Sequence, residues 1–438
     1  MAKFLFLIIT LVSFTAQSAE KIQHWVTDNG VRVYFYPAPE LPMMDLRIVF
    51  DAGAARDGDK KGVALMTNGM LAEGAGDWDS GEIAARFDSV GAVFSNSSHR
   101  DMSVMSLRSL TDEKLLNTAL TTFTTVLTNP TFPEDAFERE RKRLLIGLER
   151  QKQSPDAIAD KAFYAALYGD HPYASDAVGE IETVQAMTIA DLKAFYQQYF
   201  VAKNAVVALV GAMDRAQAEK LVDEVVAGLS VGSIAEAIPD VNKLDKADKI
   251  EIAFPSSQSH IVAGQPGIKR GDADYFPLYV GNHVLGGSGM VSKLFDEIRE
   301  KRGLAYSSYS YFIPMRQQGP FLLGLQTKNE SADAALKVLH DVVADFVQNG
   351  PSEKDLIAAK KNLVGGFALR IASNKSMVGN LASIGFYNQP LDYLETFISN
   401  VEAVTLAQVK DAFQRRVNPD KLVTVVVGDT SKAQAKEE

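Results

Sequence analysis

Residues that could perform hydrolysis are few in this 438-residue chain, and none forms a recognised motif by itself. The absence of cysteine excludes thiol nucleophiles, thiolate zinc sites, iron–sulfur clusters and disulfides. No two histidines are four residues apart, and neither H-E-x-x-H nor H-x-x-E-H occurs, so no helical zinc site is expected. His171, followed by proline, is expected in a loop or at a helix entry, and His283 in the core. The six histidines are His24, His99, His171, His260, His283 and His340.

A glycine-rich segment contains the one serine whose surroundings invite comparison with a nucleophile. Ser288 is flanked by Gly286, Gly287 and Gly289, which matches neither the G-x-S-x-G nucleophile elbow nor a phosphate-binding loop. These glycines predict a flexible loop that opens a helix. Because glycine allows a close backbone approach, we expect the three to contact peptide or a facing domain.

A charged helix face followed by an aromatic strand lies between Leu294 and Phe312. By local spacing alone this is a helix that ends at Gly303 and a strand that follows it. Arg299 and Tyr306 lie seven positions apart in it. A guanidinium stays charged and a phenol stays neutral near pH 7, so both can donate hydrogen bonds and neither is a base.

The sequence contains two copies of the pattern of helices and strands around these residues. An offset of 217 residues separates Thr188 from Thr405 and Gly211 from Gly428 (405 − 188 and 428 − 211). Each copy is a capped amphipathic helix, a short connection and a buried strand. A helix–strand–strand pattern also recurs, at 80–90, 92–97 and 102–110 and again at 291–302, 305–312 and 319–327.

Locally paired strands with grouped helices predict an α+β fold. We expect two homologous domains, each a mainly antiparallel sheet with helices packed on it, in a clamshell-like arrangement. The small and polar composition of 228–249 is typical of an exposed linker. The predicted domains are therefore 22–227 and 250–438.

The first residues resemble a targeting signal. Lys3 precedes the apolar run 4–12, and small residues follow, which predicts a signal peptide, residues 1–19, cleaved near Ala19. The run is shorter than the ~20 apolar residues of a membrane-spanning helix. We therefore expect a periplasmic protein without membrane contact after cleavage. The net charge of −10 argues against a nucleic-acid partner.

With these residues in view, the chain resembles the pitrilysin/insulinase (inverzincin) family of zinc metallopeptidases, which includes the mitochondrial processing peptidases. In that family an arginine on a helix and a tyrosine seven positions later reach into the active site, as Arg299 and Tyr306 would here. In the first half, residues 62–70 (GVALMTNGM) stand where the family reads G-V-A-H-x-x-E-H-M. The resemblance covers nearly the whole mature chain.

The zinc motif of the family is not retained. Leu65 and Gly69 replace its two zinc-binding histidines, and Asn68 replaces its glutamate base. The family's third ligand, a glutamate, would fall near residues 145–146, where Glu149 is the nearest acid. Leucine and glycine side chains offer no lone pair and asparagine is no base, so no metal and no other cofactor is expected on this chain.

This pattern resembles the complementary subunit of two-chain family members, in which a partner carries the zinc. The resemblance implies a non-metal-binding subunit of a heterodimeric periplasmic zinc peptidase. Its partners would be a homologous zinc-binding chain and unfolded peptide, with Arg299 and Tyr306 acting at the partner's zinc site. A catalytically inactive peptide-binding, chaperone or structural subunit is the alternative. An independent hydrolase with an unrecognised site is a third possibility.

Overall fold

Two mainly antiparallel sheets organise the computed structural model, which describes residues 22–429. The predicted signal peptide and its cleavage site near Ala19 lie outside the described residues. The first sheet has the order β1-β2-β8-β3-β7-β6, and only its β2·β8 pair is parallel. Its strands, with the short hairpin β4–β5, are β1 (Gln23–Val26), β2 (Arg32–Pro37), β3 (Met43–Phe50), β4 (Gly74–Ala75), β5 (Trp78–Asp79), β6 (Val93–Ser98), β7 (Ser103–Leu110) and β8 (Ala205–Gly211).

Eight helices accompany the first sheet in the described part of this half. They are α1 (Val63–Met70), α2 (Ser80–Asp88), α3 (Glu113–Thr128), α4 (Glu134–Gln151), α5 (Pro155–Tyr168), α6 (Ile181–Ala186), α7 (Ile189–Tyr199) and α8 (Arg215–Val226). Most of them cover one face of the sheet and close the larger apolar core of this half.

The second sheet repeats the first. Its order is β11-β12-β10-β13-β9, with β13·β9 as its one parallel pair. Its strands are β9 (Asp248–Ala253), β10 (Gln258–Pro266), β11 (Ala305–Phe312), β12 (Pro320–Lys328) and β13 (Val423–Gly428). Without the edge strand β1, the two sheets have the same strand order and the same parallel pair, which confirms the α+β fold with a duplicated architecture.

The helices of the second half follow the same plan. They are α9 (Tyr275–Asn282), α10 (Lys293–Phe295), α11 (Ala332–Asn349), α12 (Glu353–Ile371), α13 (Asn374–Phe386), α14 (Tyr393–Ala403) and α15 (Leu406–Arg416). In the repeated segment, Thr188 caps α7 and Thr405 caps α15. Each threonine hydroxyl accepts the N–H of the third helical residue, whose side chain reaches back to the backbone of the cap. A 3₁₀ turn and a fully buried strand, β8 or β13, follow in both copies.

The halves exchange a helix. Helix α13 of the second half packs on β2, β3 and β8 through residues that include Leu381 and Phe386. Helix α5 of the first half packs on β10 and β13 through Phe163 and Leu167. Because helices of their own half cover the opposite faces, both sheets are buried on both sides, which explains the continuous apolar sequence of β8 and β13. The two halves are therefore interlocked.

A buried polar network reinforces this exchange. The carboxylate of Asp101 accepts hydrogen bonds from the Tyr173 hydroxyl (2.6 Å), the Tyr387 hydroxyl (3.0 Å) and the backbone N–H of Arg316 (2.8 Å). Burial and the nearby Asp101 raise the pKa of both phenols. The Arg316 guanidinium in turn pairs with Asp51 (3.3 Å). Asp101, Asp51 and Tyr173 belong to the first half, so the network ties it to the second.

The segment between the halves is held against both of them. Residues 227–247 contain no helix or strand and are mostly exposed. Ile238, however, is buried, and its carbonyl accepts a hydrogen bond from the Gln317 side chain. The ring of His171 also contacts the Pro239 carbonyl (2.9 Å). The segment expected as an exposed linker is thus pinned to both halves. None of the helices within residues 22–429 is long and apolar enough to cross a membrane.

Candidate functional site

Arg299 and Tyr306 meet at the exposed edge of the second sheet. The guanidinium carbon of Arg299 lies 4.7 Å from the centre of the Tyr306 ring and 4.9 Å from that of Phe295. These distances are typical of cation–π contacts, which hold the guanidinium between two aromatic rings. Phe295 was not singled out by the sequence analysis, although its position four residues before Arg299 on a predicted helix could have identified it.

The backbone around the pair is irregular. The sequence predicts one helix over 291–302, whereas the structure has a 3₁₀ turn at Gly289–Val291, the short helix α10, and a π-helical turn at Asp296–Glu300 that carries Arg299. A glycine with φ of 62°, Gly303, ends this turn. The register of β11 on β12 then shifts between Ala305 and Ser307.

This bulge determines where Tyr306 points. Tyr306 has no partner in the strand register, and its side chain is 77% exposed. Bulges commonly redirect a side chain at a sheet edge. Within the described residues no hydrogen bond to the Tyr306 hydroxyl is found. The phenol is therefore available to a molecule outside this chain.

A shallow groove of about 400 Å³ lies beside the pair. Besides Arg299 and Tyr306, its walls include Gln258, Gln326 and Lys328. Gln258 and Lys328 offer further hydrogen-bond donors, whereas the Gln326 amide is bonded to the His260 ring (2.8 Å). Glu300 also lines the groove, with its carboxylate 4.0 Å from the Arg299 guanidinium. With the donors of Arg299 and Tyr306, the groove can bind and polarise an acceptor such as a peptide carbonyl.

The neighbouring Arg302 does not belong to the groove. Its guanidinium pairs with Glu297 (2.6 Å) and also donates to the Glu297 carbonyl. Hydrogen bonds from Lys301 and Arg302 lower the pKa of the Glu297 carboxyl. Arg302 is thus a paired surface charge close to Arg299, which makes it a matched control for substitutions of Arg299.

The three glycines play different parts. The sequence predicts a flexible loop, but Gly286 and Gly287 end a π-helical turn at His283–Gly287 that continues α9. A side chain at Gly286 would lie 2.4 Å from the Ser310 hydroxyl, so this glycine allows close packing against β11 and does not face a peptide. Gly287 lies similarly against the end of α9. Gly289 has φ of 64° and open space around it, and Gly287 is partly exposed at the wall of a cavity.

The two histidines discussed from the sequence have different surroundings. His171 begins a 3₁₀ turn at Pro172–Ala174, as expected. His283 is only half-buried and is not a core residue as expected, because α9 is followed by a turn that leaves its ring at a cavity wall. Burial and the charge of the Arg370 guanidinium lower the pKa of His283. A hydrogen bond with Asn362 acts in the opposite direction and raises it in part.

The positions of the lost zinc motif lie on α1, in the other half of the molecule. Leu65 is half-buried and Gly69 is exposed with open space around it. Asn68 is buried. Its side-chain amide donates to the Ser97 backbone carbonyl (2.5 Å), and its backbone carbonyl accepts from the Asn96 side-chain amide (2.6 Å). Asn68 therefore ties the edge strand β6 to α1, in the place where the family has its base.

The expected position of the third ligand offers no donor either. Helix α4 packs on α1 and carries Leu145, which is half-buried, and Ile146, which is 56% exposed. Glu149 is exposed and pairs with Lys152 (3.1 Å). Zinc does not fit these residues. Leu65 has an alkyl side chain, Gly69 has only a hydrogen, and the Asn68 amide is used as a hydrogen-bond donor, so together they offer no ligand set. Within residues 22–429 no group of three histidines or carboxylates could hold a metal ion.

We expect that restoring the motif residues alone will not create a zinc site. In the triple variant Leu65→His, Asn68→Glu, Gly69→His the third ligand and its supporting hydrogen bonds are still missing. The new carboxylate would also face the Ser97 carbonyl and lose the bond that Asn68 donates. Metal analysis of the dialysed chain should find no stoichiometric zinc in wild type or variant. One zinc per wild-type chain would contradict this account of α1.

Arg299 and Tyr306 are therefore brought together, but they are not brought to the old zinc position. Helix α1 contacts α4, α7, β6 and β7, all in the first half. Tyr306 lies on the edge strand β11 of the second sheet, and Arg299 lies on the π-helical turn before it.

Comparison with family models gives two matches in succession. Residues 37–180 match the model described as insulinase (peptidase family M16), and residues 186–363 match the model described as peptidase M16 inactive domain. The two matches cover the α1 region and the Arg299–Tyr306 region, respectively.

Two curated relatives match over nearly their full length. A non-peptidase homolog, YmxG, from Helicobacter pylori is 25% identical over 99% of this chain and 100% of its own length. An uncharacterized zinc protease, YmxG, from Bacillus subtilis is 22% identical over 92% of this chain and 98% of its own length.

Solved structures extend the similarity. A crystal structure of a peptidase M16 inactive domain from Pseudomonas fluorescens is 43% identical, with a TM-score of 0.90 over 93% of this chain and 97% of that one. A protease from Helicobacter pylori shares the fold at 20% identity, with a TM-score of 0.86 over 93% of this chain and 99% of that one.

Proposed function

Because this chain belongs to the insulinase (M16) family of peptidases, we propose that it is the non-metal-binding subunit of a two-chain zinc peptidase. The zinc and the base would come from a homologous partner chain with an H-x-x-E-H motif. This chain would bind unfolded peptides and stabilise the transition state of their hydrolysis. The signal-like residues before Ala19 support a periplasmic site of action.

The observation that carries this proposal is the exposed Arg299–Tyr306 pair. A tyrosine that is 77% exposed is held against an arginine and redirected by a β-bulge, away from the core of its own chain. Both residues line the groove and can donate hydrogen bonds there. An acceptor supplied from outside, such as a peptide carbonyl, completes this arrangement.

The chemistry that the pair can perform follows from its groups. Hydrolysis of a peptide places negative charge on the former carbonyl oxygen, and donors aimed at that oxygen lower the barrier. The Tyr306 hydroxyl can donate this hydrogen bond. The Arg299 guanidinium, with its fixed set of donors, orients the Tyr306 ring and can hold the peptide carbonyl next to it.

Exposed apolar side chains on the turn before α10 support a partner chain. Met290 and Val291 are 75% and 83% exposed on the 3₁₀ turn that contacts α10 and β11, the strand that carries Tyr306. Apolar side chains grouped in this way on a surface are typical of an interaction site. We take them as part of the surface that a zinc-binding partner would cover.

We expect a stable one-to-one complex with the zinc-binding chain, measured by size-exclusion chromatography with light scattering. Val291→Asp places a charge on the proposed interface and should weaken the complex at least about tenfold. Ile234→Asp, on the exposed segment between the halves, is the matched control and should not weaken it. Separate monomers of the two wild-type chains at micromolar concentration would contradict the proposal.

The alternative is a subunit that binds peptides or partners without catalysis. The printed name of the Helicobacter pylori relative, a non-peptidase homolog, favours it. In that case the chain should bind unfolded peptide. With the zinc-binding chain added, the rate of peptide hydrolysis should be the same for the wild type and for Tyr306→Phe.

A further inference from the structure

A second cleft, separate from the Arg299–Tyr306 groove, lies between α9, α12 and α13. It consists of two adjoining cavities of about 370 Å³ and about 330 Å³. Both cavities are lined by Arg270, Tyr275, Tyr279 and Arg370, so these four residues form the wall between them. Cavities of this size are typical of sites for small ligands.

The cleft is positively charged in an acidic protein. The net charge of the chain is −10, yet no aspartate or glutamate of the described residues lines either cavity. Arg270 donates one hydrogen bond, from Nε to the Pro314 carbonyl (3.2 Å). Neither Arg270 nor Arg370 forms an ion pair within the described part of the chain. Two guanidinium groups thus keep unused donors at one opening.

The tyrosines bring these charges to a common point. Arg370 donates to the Tyr279 hydroxyl oxygen, which leaves the hydroxyl hydrogen of Tyr279 free for a ligand. The Tyr275 and Tyr279 rings are stacked with centroids 5.6 Å apart. Tyr275 lines both cavities together with Arg270 and Arg370, and burial and the neighbouring Tyr393 raise the pKa of its phenol. An anion placed beside these two phenols would be reached by both arginines.

The remaining walls are partly apolar. Phe312 and Tyr311 border the first cavity together with the polar Asn282 and His283, and Leu394 and Phe397 border the second together with Asn380, Ser383 and Gln389. A free phosphate would use the two guanidinium groups but leave the aromatic and aliphatic side chains uncovered. A carboxylate attached to an apolar group would contact both the guanidinium groups and the apolar side chains. Arginine binds carboxylates with two parallel hydrogen bonds, and the apolar group would cover the aromatic and aliphatic walls.

We propose that this cleft binds the free C-terminal carboxylate of a peptide with an apolar last residue. The choice of a peptide as the source of the carboxylate rests on the proposed function, but the site lies within this chain and needs no partner. It would hold one end of a peptide while another stretch lies at the edge of the second sheet.

The test is a binding measurement on the purified full chain alone. Fluorescence anisotropy compares a short labelled peptide that ends in phenylalanine as a free acid with the same peptide as a C-terminal amide. We expect the free acid to bind at least about tenfold more tightly, since a charged hydrogen bond is lost with the amide. Arg270→Gln and Arg370→Gln should each abolish this preference.

Three controls distinguish peptide binding in this cleft from an effect of net charge, from binding at the Arg299–Tyr306 groove and from binding of phosphate. Lys361→Gln removes an exposed charge from α12 outside the cleft and should leave the preference unchanged, as should Tyr306→Phe. Inorganic phosphate should not displace the peptide; displacement by phosphate alone would overturn the proposal in favour of a phosphate site. Equal binding of acid and amide, or arginine variants that keep the preference, would also overturn it. None of these results depends on catalysis with a partner.

Discussion

Replacing Tyr306 by phenylalanine should lower the kcat of the complex with the zinc-binding chain by about 10²-fold, with little change in KM. The variant keeps the ring and therefore the 4.7 Å contact with Arg299, and removes only the hydroxyl. Loss of one donor to a developing oxyanion typically has an effect of this size. Because the hydrogen bond strengthens in the transition state, the loss should appear in kcat. Steady-state kinetics on a fluorogenic unfolded peptide measures it.

Two arginine variants complete this experiment. Arg299→Lys keeps the charge but loses the planar group that stacks on Tyr306 and Phe295, and should impair both kcat and KM. Arg302→Lys keeps the charge of the exposed ion pair with Glu297 and should be nearly silent. If complexes with Tyr306→Phe assemble normally and hydrolyse peptide at the wild-type rate, Tyr306 is not a catalytic residue.

Replacing Asp101 by alanine should destabilise the isolated chain by at least about 3 kcal/mol. The carboxylate is 3% exposed and accepts three hydrogen bonds, two of them from the second half. Its removal leaves the Tyr173 and Tyr387 hydroxyls and the Arg316 N–H buried without their acceptor. Urea unfolding followed by circular dichroism measures the change in free energy.

The matched control for Asp101 is an exposed carboxylate in the same half. Asp59→Ala should change the free energy of unfolding by less than about 0.5 kcal/mol. Because the halves exchange α5 and α13, the wild type should unfold in one transition. Two separate transitions in the wild type, or an Asp101→Ala variant as stable as Asp59→Ala, would contradict the interlocked arrangement.

The sequence predicted those parts of the fold that depend on local patterns. The capping boxes at Thr188 and Thr405 and the buried strands after them repeat with a constant offset, so the duplication is readable from residue types alone. The strands predicted at 305–312 and 319–327 lie within one residue of β11 and β12, because alternating apolar residues mark them directly. The strands β9 and β10 were not predicted.

The exchange of α5 and α13 could not be predicted, because an apolar helix face does not specify which of two equivalent sheets it covers. The π-helical turn at Asp296–Glu300 has the same sequence character as an α-helix. It nevertheless helps to set how Arg299 contacts Tyr306. The spacing of seven residues between them is evident from the sequence, but their contact could not be predicted from it.

The candidate site shows the same limit. Family resemblance led to Arg299 and Tyr306, and to Leu65, Asn68 and Gly69 as the lost zinc positions. It gave no sign that Asn68 tethers β6 or that Gly286 is packed against Ser310, because both depend on neighbours distant in sequence. The second cleft escaped notice for the same reason, since Arg270 and Arg370 are a hundred positions apart along the chain (370 − 270).

The most direct test of the central claim is a titration of the zinc-binding M16 chain of the same organism with this chain. The rate of hydrolysis of a fluorogenic unfolded peptide is followed at a fixed amount of the zinc-binding chain. We predict that neither chain hydrolyses the peptide alone and that the rate rises to a plateau at a one-to-one ratio. A zinc-binding chain that reaches its full rate alone, unchanged by any amount of this chain, would contradict a shared site.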